Sequence, residues 1–194
     1  MTTTWISEDG EPVSKKISIF GWVLLFSRGS AIIFIIIFGL ILKFLLRVFE
    51  KPLFGNRRPV SPQITVMVSK ISLWLLSLPV KRFGAPLTRP GAFVANHSSW
   101  LDIFALNSGQ SLYFVSKSEV ASWPGIGFLA KVTGTLFIRR ESKEAVAQKK
   151  LFGQRIKMGH RLLFFPEGTS TDGMRVLPFK SALFQAFFDS GLNS

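Results

Sequence analysis

No cysteine occurs in the 194 residues. This excludes a disulfide framework, a thiolate metal site and a cysteine nucleophile. Only two histidines are present, too few for a histidine-rich metal centre. Charged residues are 18% of the chain, below the roughly 25% usual for a soluble domain. Hydrophobic residues make up 47%, a balance that excludes intrinsic disorder. Tyrosine occurs once, against twenty phenylalanines. Acidic residues are scarcest in residues 12–101, where twelve basic residues face a single acid, Glu50.

What is present is a net charge of +13, unevenly spread. Residues 1–11 carry three acids and no bases, and residues 102–194 carry twelve bases and seven acids. The basic excess thus coincides with the most apolar half of the chain. A nucleic-acid binder would also be basic, but it has no need of a run such as AIIFIIIFGLIL beside the charge. Basic residues flanking apolar helices fit an anionic membrane face. The expected partners are therefore membrane lipids, with no nucleic acid.

Three regions are expected: a polar tail at 1–16, a two-helix membrane-associated segment at 17–80, and an α/β domain at 81–194. The first apolar segment, Ile17 to Leu46, is interrupted by Arg28 and Lys43. Its uncharged core, Gly29 to Leu42, would be about 21 Å long as a helix, short of a clean span. Either the charges snorkel and permit a span, or the helix dips into one leaflet; a buried core helix is the third possibility. Lys51-Pro52, Gly55, Pro59 and Pro62 form a basic turn region and helix stop. Ile64 to Leu78 follows as an amphipathic helix ended by Pro79, completing a hairpin. Beyond it the texture alternates. Ala92–Ala95, Ser111–Val115, Leu136–Ile138 and Arg161–Phe165 read as strands. Trp100–Leu106, Phe128–Val132, Glu141–Met158 and Lys180–Phe188 read as helical. Such alternation argues for an α/β fold.

Three places could carry chemistry. Asn96-His97-Ser-Ser-Trp-Leu-Asp102 joins a strand end to a helix start. A histidine is a natural general base near neutral pH. A carboxylate five residues later can fix its tautomer if the turn tightens, though the same pair can simply cap and close a loop. Phe165-Pro-Glu167-Gly168-Thr169 also follows a strand, where open α/β sheets place their sites. It offers a carboxyl group, exposed backbone and a hydroxyl to a polyol or an anion, or is merely a tight turn. Gly134 to Arg140 ends in two arginines, the side chain suited to bidentate phosphate contact, or a solvated basic pair. Lys180 is a weaker anion candidate, and His160 reads as structural. No elbow of the G-x-S-x-G type surrounds Ser98 or Ser99.

Taken in order, these blocks resemble the lysophospholipid acyltransferase family, the 1-acyl-glycerol-3-phosphate acyltransferase group. The resemblance rests on His97-x4-Asp102, on Gly134-Thr-Leu-Phe-Ile-Arg139-Arg140, and on Phe165-Pro-Glu-Gly-Thr169, with Val176 to Lys180 leading into a following helix. It implies a glycerolipid acyltransferase-like α/β fold, a mixed sheet flanked by helices, with an N-terminal membrane-engaging helical hairpin. It implies that His97 takes the acceptor's hydroxyl proton and that Asp102 orients it. Arg140 would bind the acceptor phosphate, Glu167, Gly168 and Thr169 would shape the acceptor site, and Lys180 would assist. The acceptor would be 1-acyl-glycerol-3-phosphate, giving phosphatidate, or another lyso-lipid such as lyso-ornithine lipid. The donor would be acyl-CoA or acyl carrier protein as co-substrate, with no cofactor and no metal. A membrane location follows, expected as a bacterial inner membrane with the site facing the cytoplasm. A fourth, proline-containing block expected after Lys180 is not reached before Ser194, so a truncated or shortened domain is expected, and with it the alternative of a silent lipid-binding protein.

Overall fold

The computed structural model describes residues 16–86, 88–139, 145–180 and 184. Nearly all of the polar tail, Arg140, and most of the helix expected over Lys180–Phe188 lie outside them. The chain opens with α1, Ile19–Phe54. Its N-terminus is capped by Ser18, whose Oγ accepts from Gly21 N at 3.1 Å. At 36 residues it is about 54 Å long, enough by length and composition to cross a membrane, with a mean hydropathy of 2.7 in its most apolar stretch. Phe20, Phe26, Phe34, Phe38, Phe44 and Phe49 all lie more than half exposed along it, an apolar surface that suits lipid rather than water.

The helix runs through Pro52 instead of stopping there. So late in the helix, the ring removes one backbone hydrogen bond and little else continues beyond it. Gly55, at φ +58°, makes the stop, a conformation that glycine adopts without steric cost. α2, Ser61–Leu75, starts three residues earlier and ends three residues before the expected boundaries. Pro62 sits in its first turn, where a missing N–H costs nothing.

α2 returns antiparallel along the second half of α1. Gly39 permits the closest approach: a Cβ there would lie 2.5 Å from Val68 Cγ2. The charges that interrupt α1 do not all reach outward. Lys43 is 6% exposed and donates from Nζ to Thr65 Oγ1 at 2.8 Å. Glu50 is equally buried, and its Oε1 accepts from Val60 N at 2.6 Å and Ser61 N at 2.8 Å. α2 has no side-chain cap of its own, so Glu50 supplies one from the neighbouring helix.

The α/β part contains β1 (Gly91–Val94), α3 (Asp102–Asn107), β2 (Tyr113–Lys117), α4 (Ile126–Thr133), β3 (Leu136–Ile138), α5 (Ala145–Lys157) and β4 (Arg161–Phe164). A 3-10 turn at Ser118–Ser122 precedes α4. The four strands form one sheet in the order β1-β4-β2-β3, and every pairing is parallel. Phe93 lies opposite Leu163, and Val115 opposite Leu136. Val115, Leu136, Ile138, Phe152, Leu162 and Phe164 form the core, with Ile156 and Phe184 packed against it. α5 therefore covers this face through Phe152 and Ile156, as its apolar spacing predicts. Parallel pairing has a functional consequence: the carboxyl ends of all four strands lie on one edge of the sheet.

His160, just before β4, is 5% exposed and stacks on Tyr113 with ring centroids 4.3 Å apart. Burial, reinforced by the cationic side chains of Arg155, Arg58 and Arg47, pushes its pKa down to about 4. An unfolded chain binds this proton near pH 6.5, so between pH 6.5 and 4 it holds a proton that the folded chain refuses. Stability is then complete above pH 6.5 and falls on acidification through that window, by about 3 kcal/mol for this one group. Equilibrium denaturation from pH 7 to 4 should show that slope in the wild type and a shallower one in His160→Phe, which keeps an aromatic ring in the stack.

Candidate active site

The first block leaves β1 at its carboxyl end and the third leaves β4 at its carboxyl end. Because β1 and β4 are hydrogen-bonded neighbours, two segments 70 residues apart in the chain meet. The meeting is stapled through Glu167. Its carboxyl group is 1% exposed. Oε1 accepts from His97 N at 3.0 Å and Oε2 accepts from Leu177 N at 2.9 Å. A second staple is Thr171, whose N donates to His97 O at 2.8 Å. The backbone of His97 is thus held at both its N–H and its C=O by the third block. Its ring is held as well, lying parallel to Phe165 with centroids 4.0 Å apart and 13° between planes.

The imidazole edge is set by Asp102. His97 Nδ1 is 2.8 Å from Asp102 Oδ2. The same carboxylate accepts from Ser98 N at 2.7 Å, Ser99 N at 3.0 Å and Ser98 Oγ at 3.2 Å. Asp102 is the first residue of α3, so the tight turn through Ser98 and Ser99 wraps the loop around its carboxylate. Partial burial by itself would raise the Asp102 pKa. The hydrogen bonds from His97, Ser99 and Ser98 outweigh it and hold the carboxyl below the ordinary aspartate range. An anionic Asp102 at neutral pH demands a proton on Nδ1, which leaves Nε2 as the basic nitrogen. The side chains of His97 and Asp102 remain 23% and 19% exposed, within reach of a substrate.

Of the remaining candidates, Glu167, Gly168, Thr169 and Lys180 lie on the same side as this pair, and Arg140 lies outside the described residues. Gly168, at φ +72°, turns the third block tightly, with its N donating to Phe165 O at 3.1 Å. Thr169 follows it, half-buried, on the same turn. Lys180 is brought back against the block by a hydrogen bond from its N to Pro166 O at 2.9 Å, and the residue is exposed. Arg139 follows β3 on the same edge of the sheet, but three strands across from β1; it is exposed and its carbonyl accepts from Gln148 Nε2 at 2.7 Å. His160 lies at the other end of the sheet. Three contributors were given no role beforehand, although the segments that carry them were marked: the Phe165 ring, Thr171, and the backbone N–H of Leu177. Phe165 opens the third block and Leu177 lies in the segment Val176 to Lys180, where it acts through its main chain.

Removing the Glu167 carboxyl leaves two part-buried N–H groups without their acceptor, at about 1–2.5 kcal/mol each. Glu167→Ala is therefore expected to lose about 2–5 kcal/mol of folding stability, whereas Glu167→Gln, which keeps one acceptor oxygen, should lose clearly less. Chemical denaturation of the detergent-solubilised variants checks this. Equal stability of Glu167→Ala and wild type would show that the carboxyl is not a staple.

Comparison with known proteins gives this geometry a lineage. A family model described as Acyltransferase matches residues 80–192. The lyso-ornithine lipid O-acyltransferase of Rhodobacter capsulatus is 50% identical over 189 residues, which are 97% of this chain and 68% of that protein. A 1-acyl-sn-glycerol-3-phosphate acyltransferase of Neisseria gonorrhoeae is 39% identical over 109 residues, 55% of this chain and 43% of its own length. The chain thus spans about two thirds of the first relative and less than half of the second. The crystal structure of the 1-acyl-sn-glycerophosphate acyltransferase PlsC from Thermotoga maritima shares the fold, with a TM-score of 0.55 at 19% identity over 84% of this chain and 72% of that one. With that family model matching more than half of its length, and a histidine–aspartate pair clamped at the carboxyl edge of a parallel sheet, the chain belongs to the acyltransferase family.

Proposed function

We propose that the chain transfers a fatty acyl group from an acyl thioester, acyl-CoA or acyl carrier protein, to the free hydroxyl of a membrane lyso-lipid. The observation that carries this reading is the 2.8 Å contact between His97 Nδ1 and Asp102 Oδ2. It turns Nε2 outward as a general base with no protein nucleophile beside it. The acceptor hydroxyl gives its proton to Nε2 as its oxygen bonds to the thioester carbonyl carbon. The tetrahedral intermediate then expels the thiolate, which recovers the proton from the imidazolium. Asp102 stabilises that imidazolium electrostatically throughout. The bond formed is an ester, and the bond broken is the thioester.

Lyso-ornithine lipid is the acceptor favoured here, because the relative that shares half of its residues with nearly the whole chain carries that name. Lysophosphatidate is the second reading, favoured by the Neisseria relative and by a phosphate-directed role for Arg140 and Lys180. Gly168 and Thr169 shape the acceptor site in either case, with Glu167 supporting it from below. The apolar helix α1 supports a reaction at a membrane, and in this reading it takes place on the cytoplasmic side of a bacterial inner membrane. Trp100, 61% exposed, and Ile103, 42% exposed, flank the catalytic turn and present apolar surface where an acyl chain must arrive.

An acceptor panel of lyso-ornithine lipid, lysophosphatidate and lysophosphatidylglycerol, with acyl-CoA and acyl carrier protein as donors, is scored by the mass of the lipid product. Lyso-ornithine lipid is expected to be acylated fastest; faster use of lysophosphatidate would instead select the second reading. His97→Ala should lose on the order of 1,000-fold in turnover, and Asp102→Asn at least about 100-fold. Turnover undiminished in His97→Ala would overturn the mechanism.

A further inference from the structure

At the amino-terminal edge of the sheet, opposite His97, the chain builds a second polar cluster. Tyr113 opens β2, Gly134 precedes β3 and His160 precedes β4. A strand of four residues separates this edge from the catalytic one, about 13 Å. The 55–60 loop that ends α1 rests here, against α5. Between them is a pocket of about 190 Å³, lined by Asn56 and Arg58 from the loop and by Leu151, Gln154, Arg155 and Met158 from α5 and the residue after it. It is smaller than a pocket for a drug-sized ligand and is suited to one small polar group.

The charge in this place is unbalanced. The Arg155 guanidinium carbon lies 4.8 Å over the Tyr113 ring, and Arg155 Nη2 donates to Gly134 O at 2.8 Å. Arg58 approaches the other side: a Cβ on Gly134 would lie 3.0 Å from Arg58 Nη1 and 3.1 Å from Tyr113 Cε1. Arg47 closes the loop, its Nη2 donating to Gly55 O at 2.8 Å and its Nη1 to Arg57 O at 3.1 Å. Against these three arginines stands Glu50, 3.9 Å from Arg47 and already capping α2. Tyr113 and His160 are each 5% exposed. Yet the Tyr113 hydroxyl, both His160 ring nitrogens and Arg155 Nε have no hydrogen-bond partner among the described residues. The two half-buried guanidinium groups of Arg58 and Arg155 line one small cavity and repel each other. A single tetrahedral anion in the pocket balances the two guanidinium groups that line it, since phosphate oxygens accept from guanidinium forks.

We propose that this pocket binds a phosphate group, either of an anionic lipid head or free in solution, and that the bound anion ties the loop after the membrane helix to the α/β domain. The site is separate from the catalytic edge and does not depend on the acceptor assigned there. Occupancy should hold the 55–60 loop and slow tryptic cleavage after Arg57, read by mass spectrometry. The arms are inorganic phosphate added to the detergent-solubilised chain, vesicles of phosphatidylcholine, and vesicles of phosphatidylcholine with phosphatidylglycerol. Either phosphate-bearing probe, at several times its dissociation constant, should slow the cut about fivefold relative to the same detergent without phosphate or to phosphatidylcholine vesicles. Protection by phosphatidylglycerol alone assigns the lipid head as the source; protection by both probes assigns any accessible phosphate. Arg58→Gln and Arg155→Gln should lose most of the effect, and Lys149→Gln, which removes an equal charge from an exposed position of α5, should keep it. Absence of protection in the wild type, or protection as strong in Arg58→Gln and Arg155→Gln as in the wild type, would overturn the site. Arg58→Gln, on the loop, keeps the test valid if Arg155→Gln, which also loses the bond to Gly134 O, folds poorly.

Discussion

The hydrogen bond from His97 N to the buried Glu167 carboxyl is the contact on which the catalytic edge depends. Parallel pairing of β1 with β4 brings the two loops to the same edge, but pairing ends with the strands. Beyond Val94 and Phe164 each loop has its own backbone groups to satisfy, and without a common acceptor each would solvate separately. Glu167 gives them one: its two oxygens bind the first block at His97 and the chain returning at Leu177. Glu167 and Thr171 hold the His97 main chain, while Phe165 and Asp102 hold its ring. A general base gains from such fixity because reorienting a free ring at each turnover would add to the barrier.

Polarity is divided between the two ends of the sheet. At the carboxyl end two carboxyl groups, Asp102 and Glu167, are held among backbone N–H groups. At the amino end the fixed charge is cationic, with Arg47, Arg58 and Arg155 around one carboxylate. His160 belongs to the second environment, and its depressed pKa follows from burial there beside those arginines. Two histidines in one small domain thus serve opposite purposes. His97 has a carboxylate to stabilise its cation. His160 has cations around it and stays neutral, so it cannot substitute as an acid or base.

Much of the architecture was legible because it is local. Period-2 and helical patterns placed β1, β2, β3, β4 and α5 within a few residues, and the long apolar run placed α1. Spacing also brought His97 and Asp102 together correctly, since five residues and two serines are enough for a turn to close. What was not legible is non-local. The order β1-β4-β2-β3 decides that the first and third blocks adjoin while the second lies across the sheet, and no local pattern encodes that order. The inward turn of Glu167 was hidden for the same reason: a carboxyl on a glycine-containing turn ordinarily faces water, and here it faces backbone supplied from 70 residues away. Pro52 misled because proline is read as a stop, when at the end of a helix it removes a bond that hardly matters.

The two buried charges of the helical pair follow from the same economy of partners. In a bilayer an unpaired charge within α1 is costly, and snorkelling would carry Lys43 away from the helix interface. The structure does the reverse, turning Lys43 inward to Thr65 and Glu50 inward to the first N–H groups of α2. Each polar group thereby fixes a different point of contact, with Gly39 marking a third where the helices touch most closely. An all-apolar pair could slide or rotate, since lipid and side chain offer similar surroundings to leucine. Polar pins at 43 and 50 specify one register. That register presents the 55–60 loop to α5 at the amino-terminal edge of the sheet, while α2 packs on α3.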